Sequence, residues 1–297
     1  MTVAIALIGY GEVGSIFARA FLAQGARAVH AFDVRFAGKS GEAAMARARD
    51  AGVKTFASNT GAISGADVVI SAVTAGAALS VAQAAAPHLS PAQFFVDLNS
   101  VSPTTKQEGY AAVTAGGARY VEAAVMSPVP PYGLKAPTLL GGPHADALKA
   151  ALASFDMDLT VFSEEIGRAS AVKMCRSVMI KGIEALAMEC FVTARRHRVE
   201  NEVLASLSNL IPHPDWPDYA RYLMSRALVH GRRRAEEMRE VARTVEDAGT
   251  DPLMSSATAK AQDRAADLGA RLTGEQKGAK SLAALADAIS ALCDPPQ

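Results

Sequence analysis

An apolar segment that runs directly into three closely spaced glycines constrains the fold of this chain more than any other feature. The segment "VAIALI" (3–8) precedes Gly9, Gly11 and Gly14, and a pattern with helical spacing follows. In such a turn the first glycine permits the bend, the second admits a pyrophosphate, and the third allows close helix–strand packing. The helix N-terminus then offers N–H groups to phosphate. The predicted cofactor-binding residues of this turn are Gly9, Gly11, Glu12, Val13 and Gly14.

Asp33 supports a dinucleotide ligand over an ordinary glycine turn with a surface aspartate. It follows Gly14 by nineteen residues and ends the second predicted strand. A carboxylate there accepts hydrogen bonds from a ribose diol and repels a 2′-phosphate, which favours NAD over NADP. Arg35 can neutralise a phosphate, so NADP remains possible.

The rest of the chain divides into two parts. Up to residue 163, short β-branched runs alternate with alanine-rich helical segments, a rhythm that predicts an α/β fold: a Rossmann-type, doubly wound, mostly parallel sheet. Strand signals then stop. Residues 164–297 are predicted to form an all-α domain that begins with a long inter-domain helix, from Gly167 to about Arg198. A proline-rich connection (211–219) leads to a further helix around 219–248.

Composition excludes several classes of partner. Thirty basic residues offset thirty acidic ones, so no net field attracts nucleic acid or an anionic membrane. No apolar run reaches the roughly eighteen residues of a membrane span, and the start of the chain lacks a basic signal-peptide region. Three cysteines show no metal-ligand or disulfide spacing. We expect a cytoplasmic protein with no metal site and a small-molecule partner.

Two further loops are candidates for the same site. In an open parallel sheet, ligands collect at the carboxyl ends of the strands. The segments "SAVTAG" (71–76) and "DLNSVSP" (97–103) follow predicted strands, which makes Thr74 and Asn99 candidate cofactor contacts and Ser100 a candidate substrate contact. Turn-forming or helix-capping roles are the alternative for each.

The long helix carries a candidate acid/base. Lys173, Ser177 and Lys181 fall at i, i+4 and i+8 and so share a face. Hydride transfer at an alcohol carbon needs a group that exchanges the hydroxyl proton, and lysine serves if burial or a neighbouring cation such as Arg176 lowers its pKa. The alternative is that these lysines extend to solvent.

Four motifs in order resemble the β-hydroxyacid dehydrogenase family, relatives of 3-hydroxyisobutyrate dehydrogenase and 6-phosphogluconate dehydrogenase, and especially its phosphogluconate-dehydrogenase-like NAD-binding branch. "IGYGEVG" is similar to the cofactor loop, "DLNSVSP" to Asp-x-Ser-Thr-x-x-Pro, "VEAAVMSPVP" to the substrate loop Asp-Ala-Pro-Val-Ser-Gly-Gly, and "GRASAVKMCRS" to Gly-x-Gly-x-x-x-Lys-x-x-Asn-Asn. The resemblance implies that Lys173 is catalytic, that a hydroxyacid is the substrate, and that the protein is a homodimer.

Departures from the family pattern concern the substrate. Met126 replaces the substrate-loop serine and is followed by Ser127 and Pro128, while Arg176 and Ser177 replace the paired asparagines. The family's later Lys-Asp pair aligns with Glu236 and Glu237. These changes imply a substrate shaped differently from a simple small hydroxyacid. The predicted substrate contacts are Ser100, Met126, Ser127, Pro128, Ser177, Lys181 and His230.

Several alternatives stay open at this point. An imine reductase shares the expected architecture, although a retained lysine argues against it. A non-catalytic NAD(P)-binding sensor would bind the cofactor without turnover. Decarboxylating oxidation of a sugar acid is disfavoured because the His-Asn pair of 6-phosphogluconate enzymes is absent. The run Arg232–Arg234 beside His230 is either an anion-binding group or a solvated face paired with nearby glutamates.

Overall fold

The structure is a computed structural model that describes residues 3–37, 39–210 and 213–293. It separates into two compact units, residues 1–174 and 175–297. The expected boundary at 163/164 lies just before the long helix, whereas the division between the units falls within it. Residues 211 and 212 of the expected proline-rich connection lie outside the described residues.

The N-terminal unit contains an eight-stranded sheet and six α-helices within the described ranges. The strands are β1 (Ala4–Ile8), β2 (Ala28–Phe32), β3 (Lys54–Thr55), β4 (Val68–Ser71), β5 (Phe94–Asp97), β6 (Arg119–Val125), β7 (Thr138–Gly141) and β8 (Leu159–Ser163). The helices are α1 (Glu12–Ala23), α2 (Lys39–Asp50), α3 (Asn59–Ile63), α4 (Ala78–Ala85), α5 (Pro103–Thr114) and α6 (Ala145–Ala151).

The sheet order β3-β2-β1-β4-β5-β6-β7-β8 places β1 at the point where the chain reverses its direction of winding. Strands β1 to β6 are mutually parallel, β7 pairs antiparallel with β6, and β8 is parallel to β7. The carboxyl ends of β1, β4, β5 and β6 therefore meet at one edge of the sheet. Ligands bind at such an edge beside the reversal point in doubly wound folds.

The central strands β1, β4 and β5 are buried on both faces, which explains why they are mostly apolar runs. All five residues of β1 are buried. Because side chains alternate, Ile5 and Leu7 pack into one core layer with α1, whereas Ala6 and Ile8 pack into the layer on the other face. The predicted mostly parallel Rossmann sheet is confirmed.

The second unit is all-helical, as predicted. Its elements are α7 (Arg168–His197), which begins in the first unit, α8 (Glu200–Leu210), α9 (Trp216–Asp247), α10 (Leu253–Arg271), α11 (Gly274–Lys277) and α12 (Leu282–Cys293). Its apolar core includes Phe191, Met224, Leu285 and Ile289. Among the described residues, none of the helices is both long and apolar enough to cross a membrane.

Two helical details differ from the sequence-based expectation. Helix α8 was not expected; Arg198 adopts a positive φ of 60°, which ends α7 without a glycine or proline to mark the break. Helix α9 begins at Trp216 rather than near 219. The Asp215 side chain caps it through Asp218 N–H (2.9 Å), and Pro217 is accommodated in the first turn, where its missing N–H costs nothing.

Candidate active site

The glycine loop between β1 and α1 is built by contacts too close for larger residues. Gly9 has φ +99°, and a Cβ there would lie 2.3 Å from the carbonyl oxygen of Ala72. A Cβ on Gly14 would lie 2.1 Å from the Gly9 oxygen. Gly11 differs, since its nearest neighbour would be an Arg35 nitrogen at 3.6 Å, and no side chain caps the helix at this residue. The loop therefore fits a pyrophosphate, which needs an uncapped helix start and open backbone.

Asp33 connects this loop to the end of β2. Its Oδ2 accepts a hydrogen bond from Tyr10 N–H (2.7 Å) and from Arg35 Nη2 (2.8 Å), while Oδ1 accepts from Arg35 N–H (2.8 Å) and Nε (2.9 Å). Burial acts to raise the pKa of Asp33, but these bonds outweigh it and the pKa lies below its ordinary value. The Arg35 side chain is 65% exposed. Both carboxylate oxygens of Asp33 are therefore hydrogen-bonded within the protein, and the more exposed of their partners is the Arg35 side chain.

Asn99 ties two of the predicted loops together. Its Oδ1 accepts from Val73 N–H (2.7 Å), and its Nδ2 donates to Ser71 Oγ (3.0 Å) and Asp97 Oδ1 (2.7 Å). The side chain is buried, and its amide is committed to protein partners. Thr74, by contrast, is exposed in the loop that Asn99 holds, and Ser100 is half-buried beside it. Asn99 thus connects the loop after β5 to the end of β4 and to the loop that follows it.

Asp97, one of the partners of Asn99, also belongs to a buried ionic network. Lys106, from α5, places Nζ 2.9 Å from Asp97 Oδ1 and donates to the Asp97 carbonyl oxygen (2.7 Å). Tyr120 OH donates to Asp97 Oδ2 (2.9 Å). Burial, followed by the neighbouring Asp97 charge, raises the pKa of Tyr120 well above its ordinary value. The network fixes the end of β5 and the start of α5 at the edge where the glycine loop lies.

The expected substrate loop follows the carboxyl end of β6, at the same edge of the sheet. Met126 and Ser127 are half-buried and Pro128 is exposed. Met126 N–H donates to the Pro137 carbonyl oxygen (2.7 Å), which extends the β6–β7 pairing by one residue. The Ser127 hydroxyl has a long contact (3.4 Å) to the next carbonyl oxygen. The loop thus starts from a fixed point.

Lys173 lies less than two turns into α7 and is half-buried. The helix start packs against the beginning of α5, because a Cβ at Gly167 would lie 3.1 Å from Pro103 Cβ, and Gln107 Nε2 donates to the Ile166 carbonyl oxygen (3.4 Å). The predicted base is therefore carried by a helix that starts beside the loop following β5.

The later polar residues of α7 are paired within the helical unit. Lys181 is buried, with Nζ 2.7 Å from Glu237 Oε2 and 3.0 Å from Ser177 Oγ. Burial lowers the pKa of Lys181, and Glu237 opposes this effect. Glu184 forms an ion pair with the buried Arg234 of α9. Lys181, predicted to contact substrate, thus has a structural partner that the sequence pattern did not indicate.

His230 and the arginine run lie on α9. His230 is half-buried. Arg232 is exposed and pairs with Asp263 and Asp267 of α10, whereas Arg233 pairs with Glu237 (2.7 Å). Arg232 and Arg233 therefore belong to ion pairs, in agreement with the solvated-face interpretation of those two, although the partners of Arg232 are aspartates of another helix.

Two family models match separate parts of the chain. Residues 4–100 match the model described as "NADP oxidoreductase coenzyme F420-dependent", and residues 194–265 match "Domain of unknown function (DUF1932)". The solved structure of a conserved hypothetical protein from Sinorhizobium meliloti 1021 is 38% identical, with a TM-score of 0.71; the match covers 98% of this chain and 97% of that chain.

A further solved structure decides the family. The conserved protein MTH1747, described as being of unknown function with structural similarity to 3-hydroxyacid dehydrogenases, is 30% identical with a TM-score of 0.67, over 89% of this chain and 97% of its own. The chain belongs to the β-hydroxyacid dehydrogenase family. Mycobacterium tuberculosis 3-hydroxyisobutyrate dehydrogenase, solved with L-serine, has the same fold as this chain, with a TM-score of 0.71 and 19% identity. The match covers 99% of this chain and 100% of that chain.

Membership of the β-hydroxyacid dehydrogenase family confirms the predicted resemblance. Together with the glycine loop, it supports an NAD(P)-dependent dehydrogenase or reductase. The residues whose roles sequence reasoning missed are two buried charges, Lys106 and Glu122. One signal was available, since Glu122 interrupts an apolar strand, "YVEAAV", where a charge is tolerated only with dedicated partners.

Proposed function

We propose that this chain is an NAD(P)-dependent β-hydroxyacid dehydrogenase in which Lys173 exchanges the proton of the substrate hydroxyl. The observation that supports it best is the seating of Lys173 on a helix that starts beside the loop after β5, in the same compact unit as the glycine loop. A half-buried amine at this point suits general acid/base work.

The division of labour follows from the residues. Gly11 and the first turn of α1 receive the pyrophosphate, Asp33 receives the adenosine ribose, and the loop around Thr74 borders the cofactor. A bound nicotinamide would supply the hydride acceptor for oxidation of the alcohol carbon and the hydride donor for reduction of the corresponding carbonyl. In oxidation the neutral amine of Lys173 takes the hydroxyl proton as the carbonyl forms, and in reduction the ammonium gives it back. Ser100 and residues 126–128 border the substrate. The roles of Ser177, Lys181 and His230 toward substrate stay predictions.

NAD is the proposed preferred cofactor, with NADP as a second substrate. Asp33 supplies the carboxylate expected to bind the ribose, and its negative charge repels a 2′-phosphate. Arg35 moderates this preference because its guanidinium already lies beside the carboxylate and Gly11.

The experiment is a turnover screen of 3-hydroxyisobutyrate, 3-hydroxypropionate and 3-hydroxy-3-phenylpropionate with NAD and with NADP. Loss of a positioned general base costs about 10²–10⁴-fold in rate, so Lys173→Ala should lower kcat by that factor while cofactor affinity stays the same. Lys149→Ala, at an exposed lysine of α6, is the matched control and should remain fully active.

Other outcomes identify the alternatives. Full activity in Lys173→Ala would exclude lysine catalysis. Reduction of cyclic imines by NAD(P)H without oxidation of any hydroxyacid would indicate an imine reductase, and cofactor binding without turnover on either panel would indicate a sensor.

A further inference from the structure

The buried carboxylate of Glu122 holds the first turn of α7. Glu122 is fully buried on β6. Its Oε1 accepts hydrogen bonds from Gly167 N–H (2.8 Å) and Ala169 N–H (3.1 Å), and its Oε2 accepts from Ser170 N–H (3.3 Å). The first N–H groups of a helix have no partner within the helix, and an anion satisfies them while facing the positive end of the helix dipole. The partner here comes from a strand 45 to 48 residues away in sequence.

The neighbouring strand leaves space for this carboxylate. Gly141 of β7 is the register partner of Glu122. A Cβ on Gly141 would lie 2.4 Å from Glu122 Oε1 and 2.8 Å from its Cγ, too close for any larger residue. Gly167, which donates the shortest of the three bonds, has φ +102° and so bends the chain into the cap. Glu122, Gly141 and the helix start at residues 167–170 therefore form one packed and hydrogen-bonded contact, called the joint below.

We infer that Glu122 is the positioning residue for Lys173, an inference that rests on the proposed function of Lys173. Lys173 follows Ser170 by three residues, which is less than one turn beyond the last N–H that Glu122 holds. Glu122 also lies four residues before Met126, at the start of the substrate loop. The same carboxylate thus fixes the start of α7 against β6, the strand that leads into this loop. It limits both the shift of α7 along its axis and its rotation, and so limits the position of Lys173.

The joint can be tested without turnover. Glu122→Gln keeps the size of the side chain but replaces one acceptor oxygen by an NH₂ donor, which opposes the helix N–H groups. Amide hydrogen exchange at residues 167–170 should accelerate about tenfold or more, as expected for loss of a capping group, with exchange in β1 and β4 unchanged. Exchange at wild-type rates would overturn the joint.

Kinetics test the positioning role. Small displacements of a reacting group cost on the order of 10²-fold in rate, so Glu122→Gln should lower kcat on the best 3-hydroxyacid of the panel about 100-fold, with cofactor Kd unchanged. Asp67→Asn is the control: it removes a carboxylate that bonds Ala4 N–H (2.7 Å) at the opposite edge of the sheet, and it should lower stability but not kcat. Wild-type kcat in Glu122→Gln, with Lys173→Ala inactive, overturns the positioning role alone. Activity in Lys173→Ala overturns the proposed function, and the positioning role with it.

A second pair of variants keeps the test sound if Glu122→Gln folds poorly. Gly141→Ala should displace the carboxylate and reproduce the loss of kcat with the charge retained. Adding Glu122→Asp shortens the side chain by one methylene and so makes room for the new methyl group. The double variant should therefore recover part of the lost kcat. Equal kcat in Gly141→Ala and in the wild type would overturn the inference.

Discussion

At the scale of single residues, we propose that Asp33 and Arg35 govern the choice between NAD and NADP at the glycine loop. Asp33 holds the loop through Tyr10 N–H and also holds Arg35 through three contacts. The backbone bonds are compatible with any cofactor, whereas the guanidinium bonds compete with the ribose diol. In this proposal Arg35 would compete with the ribose of NAD for Asp33 and would bind the additional phosphate of NADP.

Arg35→Ala should raise the preference for NAD. Loss of a charge-assisted bond to the 2′-phosphate should weaken NADPH binding about tenfold, which corresponds to about 1.4 kcal/mol, while NADH binding should stay equal or tighten. Fluorescence titration with both reduced cofactors measures the effect, and Arg27→Ala, at an exposed arginine paired with Asp67, serves as the control. Equal weakening for both cofactors would show that Arg35 does not discriminate between them.

At the scale of elements, two ion pairs connect α7 with α9, and in the second pair the signs of the charges are exchanged between the helices. Lys181 pairs with Glu237, and Glu184 pairs with Arg234, so an advance of three residues on α7 matches a retreat of three on α9. This is an antiparallel register. A slip that moved Lys181 opposite Arg234 would bury two like charges together. The pairs thus favour this alignment of the two helices over one shifted by three residues.

Lys181→Met should destabilise the helical unit, because it removes the buried cation of Glu237 and leaves that carboxylate with the half-exposed Arg233. The expected loss in the free energy of unfolding is about 3 kcal/mol, measured by urea denaturation. Lys181→Met combined with Glu237→Met should recover most of it, because replacing both members of a buried pair by apolar groups is often neutral. A double variant whose loss equals the sum of the two single losses would show that the pair is not coupled.

At the scale of the whole molecule, the helical surface carries large apolar side chains in solvent. On α7, Met179 is 64% exposed and Leu186 is 57% exposed, with Ile180 nearby. Exposed apolar patches on a folded chain commonly mark a protein–protein interface. The proposed partner is a second copy of the chain, as the family resemblance implies.

Sedimentation equilibrium should give a dimer for the wild type at micromolar concentration and a monomer for Met179→Glu combined with Leu186→Glu. The carboxylates would be buried without partners in the proposed interface, which is costly. Phe162→Glu, at an exposed aromatic of β8, should leave the dimer intact. A wild-type monomer would exclude the homodimer.

Local patterns predicted the elements, and contacts distant in sequence determined the rest. The glycine loop and Asp33 lie within about thirty consecutive residues, and each apolar strand is a short local run. The Rossmann fold could therefore be predicted from the sequence. The roles of Lys106 and Glu122 could not, because their partners come from other elements and a charged residue in isolation resembles a solvated one. The prediction for Lys173 rests on motif resemblance and stays a prediction, whereas the hydrogen bonds from the start of its helix to Glu122 are visible only in three dimensions.

The three glycines of the first turn are constrained by different neighbours. Gly9 and Gly14 are confined by backbone oxygens of the protein itself, whereas a Cβ on Gly11 would meet only the end of the Arg35 side chain, at an ordinary contact distance of 3.6 Å. A descendant that had lost its nucleotide would still need the outer two in order to fold, and only the middle one would be free to drift. Position 11 is therefore where a lapsed enzyme of this lineage would first reveal itself.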